Sequence, residues 1–154
     1  YTSFKPYVDE IISGQNRDMV TSMLNKLTTN YTYFMREEAH FNYLKDTVLP
    51  NLARAHERDR VLSIWSAGCS SGEEPYTISM YLKEFFGSQA SCWDTRVLAT
   101  DISQQILNTA QNPTYQEESL GRVPGNRSIL SKPAAAPTAS RLPSNRTSYS
   151  GPLT

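Results

Sequence analysis

Residues 60–86, RVLSIWSAGCSSGEEPYTISMYLKEFF, constrain the fold more than any other stretch. RVLSIWSA is a short apolar run of strand length. It enters the small-residue turn GCSSG. EEPYTISMYLKEFFG then reads as a helix, with Pro75 suited to its first turn and Gly87 to its end. TRVLATD predicts a second apolar strand ending in Asp101, and SQQILNTAQN a second helix stopped by Asn112-Pro113. Strand, helix, strand, helix in short succession implies a right-handed βαβ unit with parallel strands. The fold class is α/β, a βαβα unit.

The residues before it have the helical period instead. In TSFKPYVDEIISG, Phe4, Tyr7, Val8, Ile11 and Ile12 share one side and Gly14 is the stop. NRDMVTSMLNKLTTN continues with Met19, Val20, Met23, Leu24 and Leu27. REEAHFNYLKDTVLPNLARAHER predicts a longer helix with a stripe of Phe41, Leu44, Val48, Leu49 and Leu52, which Pro50 should kink or break. These stripes are expected to be core, and residues 1–58 to form a small helical subdomain ahead of an α/β domain over 59–120.

Charge separates off the remainder. All 15 acidic residues fall within 1–120, whereas residues 121–154 hold five basic residues, no acidic ones, five of the nine prolines and a single aromatic, Tyr149. Such a segment buries too little apolar surface to offset its ordering entropy, so disorder is expected there. A basic tail can meet nucleic acid or acidic lipid, but a solvated tail is the reading taken, with no nucleic-acid partner. No apolar run approaches the ~20 residues of a membrane span, and no signal peptide is visible. Cys69 and Cys92 make no disulfide framework, and with only His40 and His56 there is no zinc set and no metal site. A reduced, cytoplasmic protein fits these features.

The chemistry lies in the turn. Gly68 and Gly72 let the backbone pass close to a ligand. A P-loop needs Lys and Ser/Thr after its last glycine, and Glu73 follows here. A dinucleotide fingerprint rests pyrophosphate on the helix N-terminus, and Glu73 and Glu74 would repel it there. The two glutamates either compensate the helix dipole or face a positively charged nucleoside without phosphates. S-adenosylmethionine is such a ligand. Asp101, 29 residues beyond Gly72, either accepts hydrogen bonds from a ribose diol or caps the helix that begins at Ile102. Spacing leaves both readings open.

LTTNYTYFMRE, WSAGCSSGEEPYTISM and VLATDIS together closely resemble the chemotaxis receptor methyltransferases, the CheR family, over Phe4 to Leu120. The resemblance implies a partial Rossmann-like, S-adenosylmethionine-dependent fold. It also implies methyl transfer to glutamate side chains of methyl-accepting chemotaxis receptors, acting on their cytoplasmic domains without insertion into the membrane. It assigns Asn30, Thr32 and Arg36 to a cofactor-contacting motif, Ala67 and Gly68 to the lining of the cofactor loop, Glu74 to the methionine end and Asp101 to the ribose. Arg36 can also hold the acceptor carboxylate by a charge-assisted pair and so serve as the catalytic residue; its alternative is an ion pair with Glu37 or Glu38.

Family members carry further motifs, resembling Asn-Leu-Leu and Phe-Cys-Arg-Asn-Val, and a small β insertion that docks receptors. The sequence after Leu120 matches none of these. The expectation is a central fragment joined to a non-family tail, through a frameshift or mispredicted gene end. Its two-stranded sheet would be open at one side, and it would be weakly active or inactive. The alternative is a non-catalytic remnant that binds cofactor or docks receptor.

Overall fold

A computed structural model describes residues 3–112, 114–121, 123, 139–141 and 147–152. The chain divides into two compact units, Tyr1–Asn30 and Tyr31–Thr154. The first unit contains α1 (Phe4–Ser13) and α2 (Arg17–Leu27). α1 ends where the sequence predicts. Gly14 takes a φ of 65° and donates its N–H to the Ile11 carbonyl, a left-handed cap that glycine adopts at little cost. Asn16 opens α2, its side chain accepting from the Met19 N–H at 3.1 Å. Neither helix has a buried residue, and Phe4, Ile12 and Leu27 are exposed. The expected apolar stripes do not form a closed core here, because two short helices have too little surface to bury them.

In the second unit the helix predicted through Pro50 is present in three parts. α3 (Glu38–Tyr43) passes through a π turn, Leu44–Val48, into α4 (Leu49–Ala55). Pro50 therefore neither ends nor breaks the helical path. It lies in the first turn of α4, where its missing N–H costs least, and the wider π turn precedes it. α3 and α4 belong with the sheet, not with a helical subdomain over 1–58. Fully buried Leu49 packs in one cluster with Leu62, Ile78, Leu82, Phe86 and Val97, and Phe41 stacks on Tyr81 at 5.3 Å. Each such side chain contributes about 1.5–3 kcal/mol by leaving water, which is why the stripe of α4 joins the sheet.

β1 (Val61–Ala67) and β2 (Asp94–Thr100) are parallel, in register from Val61 opposite Asp94 to Ala67 opposite Thr100. α5 (Glu73–Phe86) connects them, followed by a 3-10 turn at Gly87–Cys92; α6 (Gln104–Gln111) follows β2. Leu62 and Ser66 on β1 are buried, as are Val97 and Ala99 on β2; Val61 and Trp65, which point to the other face, are exposed. The Trp65 indole N–H donates across the strands to the Thr100 hydroxyl at 3.1 Å.

The sheet has four strands where two are expected. β3 (Ala139–Arg141) and β4 (Thr147–Pro152) extend it in the order β1-β2-β4-β3, with β4 antiparallel to β2 and to β3. These stretches depart from the disorder expected over 121–154. The outer edge of β2 offers unpaired backbone groups, and a polar segment can pair with them through its main chain alone. Apart from Gly121 and Val123, the rest of that segment lies outside the described residues. Among the described residues, no helix is long and apolar enough to cross a membrane.

Candidate functional site

The C-terminal ends of β1 and β2 bring together four of the singled-out residues: Ala67, Gly68, Glu74 and Asp101. Main-chain bonds set the turn between β1 and α5. The Gly68 and Cys69 N–H groups both donate to the Thr100 carbonyl, at 2.7 and 2.8 Å, and the Gly72 N–H donates to the Cys69 carbonyl at 3.0 Å. Left-handed backbone at Gly68, Ser70 and Gly72 (φ 88°, 50° and 103°) turns the chain sharply into the helix. Gly68 has open space where a Cβ would stand. Gly72 does not: a Cβ there would lie 2.9 Å from the Tyr115 hydroxyl.

Asp101 spans the loop. Its Oδ2 accepts from the Ser70 N–H and its Oδ1 from the Ser103 N–H, both at 2.9 Å. It does not cap α6. Ser103 does, its hydroxyl accepting from the Ile106 N–H at 3.3 Å. The capping alternative for Asp101 is thereby corrected, since the chain needs two further residues after Asp101 to reach helical geometry.

The adjacent glutamates have different surroundings. Glu73 is buried and accepts from the Ser71 hydroxyl at 2.6 Å. Glu74 is exposed, and one of its oxygens accepts from the hydroxyl of fully buried Ser66 at 2.6 Å. Cys69 is buried under the same loop. Desolvation first, then the charge of Asp101, pushes its thiol up to about 12. It is therefore an uncharged packing group, not a nucleophile.

Arg36 lies in the turn Phe34–Glu37, where Met35 and Glu37 also take left-handed φ values of 59° and 58°. Fully buried Phe34 anchors that turn, and the Met35 N–H donates to the Thr77 hydroxyl at 3.3 Å. The Thr77 hydroxyl donates to the Glu73 carbonyl at 2.7 Å, so the turn is fastened to the first turns of α5. The Arg36 guanidinium is exposed and donates to the Tyr31 carbonyl at 3.0 Å. Among the described ion pairs none joins it to Glu37 or Glu38, so the surface-pair alternative is not what holds it. Thr32 is half-buried in the same unit, whereas Asn30 ends the first unit.

Residues 30–131 match the family model described as CheR methyltransferase, SAM binding domain. The chain belongs to the CheR methyltransferase family. Curated relatives named chemotaxis protein methyltransferase include one from Borreliella burgdorferi, 37% identical over 80% of this chain and 44% of its own length. The Escherichia coli (strain K12) protein is 36% identical over 77% of this chain and 38% of its own length. A probable chemotaxis protein methyltransferase of Rhizobium etli is 37% identical over 79% and 45%. The chain thus spans less than half the length of these relatives. The family match continues to residue 131, past Leu120, so the expected departure from the family at that residue is set too early. S-adenosyl-L-methionine is the cofactor that the CheR domain indicates, and the α/β fold with parallel β1 and β2 agrees with a Rossmann-like methyltransferase domain.

Three residues that sequence reasoning passed over organise this site: Ser66, Thr77 and Tyr115. Ser66 carried a usable signal. It falls on the buried face of β1 with Leu62, two pleats away, and a hydroxyl buried there requires a partner. Thr77 and Tyr115 act across 42 and 44 residues of sequence, which no local pattern encodes.

Proposed function

We propose that this chain is the cofactor-binding portion of a protein-glutamate O-methyltransferase that methylates glutamate side chains of chemoreceptors. The observation that carries the reading is the juxtaposition of Asp101 and Glu74 beside the open approach at Gly68. A carboxylate at the end of β2 suits a ribose diol, an exposed carboxylate in the first turn of α5 suits a cationic amino-acid end, and the gap at Gly68 admits close contact. Negative charge at the rim opposes phosphates and favours a cationic nucleoside. When bound, S-adenosylmethionine supplies an electrophilic methyl group.

Little acid–base work is then asked of the protein. The acceptor glutamate is ionised at neutral pH, its reference pKa being ~4.3, so no general base is needed. The residues instead align groups and exclude water. Arg36, exposed and free of Glu37 and Glu38, has the fixed charge and planar fork to hold an acceptor carboxylate. Asn30 and Thr32 join it in the proposed cofactor-contacting segment, and Ala67 and Gly68 line the loop. The receptor partners, the cytoplasmic setting and any catalysis belong to this proposal, and a chain of this span alone is expected to transfer methyl groups weakly or not at all.

Titration calorimetry with S-adenosylmethionine and its demethylated product tests the reading. Micromolar or tighter binding of both is expected, with labelled-methyl incorporation into receptor glutamates by a chain of the relatives' length. Absence of binding to either overturns it. Binding without methylation, even at that length, favours a non-catalytic remnant.

A further inference from the structure

The glycine loop is braced by a side chain that arrives from beyond α6. The Tyr115 hydroxyl donates to the Ser71 carbonyl at 2.8 Å and occupies the space beside the Gly72 Cα. Its ring meets fully buried Phe34 edge-on at 4.8 Å and Tyr76 at 6.1 Å. The Tyr76 hydroxyl in turn donates to the Ala110 carbonyl in the last turn of α6, at 3.1 Å. One phenol therefore touches the loop after β1 and the turn that leads to Arg36, and is tied through Tyr76 to the end of α6.

We propose that Tyr115 is the positioning residue of the cofactor loop, locking Ser70–Gly72 in the arrangement that presents Gly68, Glu74 and Asp101 to the ligand. The loop needs such a lock. Two of its residues, Ser70 and Gly72, hold left-handed backbone, and a non-glycine residue there is strained unless its surroundings fix it. Asp101 grips the Ser70 amide from one side, and Tyr115 grips the Ser71 carbonyl from the other. Release of the carbonyl leaves the peptide between Ser71 and Gly72 held through its N–H to the Cys69 carbonyl, a weaker restraint on its rotation. That rotation moves the start of α5, and with it Glu74. Burial raises the pKa of the phenol, so it stays protonated and remains a donor throughout the ordinary pH range. Where the inference concerns the ligand it rests on the cofactor reading above. The lock itself is a property of the ligand-free chain.

Tyr115→Phe removes the hydroxyl and keeps the ring against Phe34 and Tyr76. Amide hydrogen exchange of the ligand-free protein, followed by NMR, is expected to speed at least tenfold at Ser70 and Gly72, with Leu62 and Val97 in the strands unchanged. S-adenosylmethionine affinity should fall about tenfold while the thermal midpoint stays near wild type. Phe34→Leu is the packing control: it should speed loop and strand amides alike. Unchanged loop exchange in Tyr115→Phe overturns the proposal, and so does a uniform rise across loop and strands, which would mark Tyr115 as ordinary core. Faster loop exchange with wild-type affinity overturns its part in ligand binding. If the wild-type chain itself fails to bind, the methyltransferase reading falls while the exchange result still decides the lock.

Discussion

Asp101→Asn separates a ligand contact from a structural one, because the geometry fixes what each would cost. The carboxylate accepts one backbone N–H on each oxygen, from Ser70 and from Ser103. Asparagine keeps one acceptor and presents an NH2 to the other amide, donor against donor. One charge-assisted bond is lost; such bonds contribute about 1.5–3 kcal/mol, and partial exposure of the site brings the expected loss to ~1–2 kcal/mol. For a domain of this size that is a fall of ~2–8 °C in thermal midpoint. A ribose diol donating to the same group would lose at least one further charge-assisted bond. At ~1.4 kcal/mol per tenfold, that weakens S-adenosylmethionine binding by ten- to a hundredfold. Calorimetric titration and thermal melts on the same preparations give both quantities. Titration below the onset of each variant's own melt keeps the stability loss from imitating the affinity loss. A variant with the lower melting point and wild-type affinity would refute the ribose contact and leave Asp101 as a clasp between the two loops.

Cys69 is buried and its thiol is pushed up to about 12, whereas Cys92 is exposed, so a thiol reagent at pH 8 should modify one cysteine in the native chain and two in denaturant; rapid modification of Cys69 would mean that the loop does not close over it. Burial raises Cys69 from 9.0 and Tyr76 from 10.0, each to about 12, and raises Tyr115 in the same direction. Folded values above unfolded ones give stability that is full below pH 9 and lost as pH rises toward 12, at up to ~1.4 kcal/mol per pH unit for each group, and a urea midpoint flat from pH 8 to 11 would contradict this. Gly68→Ala should cost only left-handed strain, ~1–3 kcal/mol, but Gly72→Ala adds a contact of 2.9 Å with the Tyr115 hydroxyl and should cost ~1–3 kcal/mol more; equal urea stabilities would refute the brace. Within a chain of the relatives' length, Arg36→Lys should reduce methyl transfer well beyond its effect on cofactor affinity, with stability changed by only ~0–1 kcal/mol, and wild-type turnover would remove Arg36 from catalysis.

The α/β part of the fold was legible because its signals are local. An apolar run of strand length, a turn of small residues and a helix with proline at its start and glycine at its end give β1 and α5 almost to the residue. The helical segment ahead of it shows where local signals mislead. Pro50 is a strong breaker by itself, but the apolar stripe from Phe41 to Leu52 gains more from burial against α5 and the strands than the proline costs. The chain therefore inserts a π turn and stays helical. The strands β3 and β4 were illegible for the opposite reason. Their residues carry no apolar alternation, and they pair through the main chain with an edge that only the folded sheet supplies.

The site divides in the same way. That Gly68, Glu74 and Asp101 should meet follows from topology: parallel strands joined by a helix put the ends of both strands at one edge. Which of two neighbouring glutamates faces outward does not follow. Glu73 and Glu74 are ~100° apart around the helix, and their orientation depends on how the chain enters it. That entry is set by Ser71 on Glu73, Ser66 on Glu74 and, from beyond α6, Tyr115 on the Ser71 carbonyl. Hence the residues proposed to face the ligand are written in short motifs, while the residues packed and hydrogen-bonded behind them are scattered from Phe34 to Tyr115. A substitution far from every recognisable motif, at Tyr115 or Thr77, can therefore disturb the site as much as one within it.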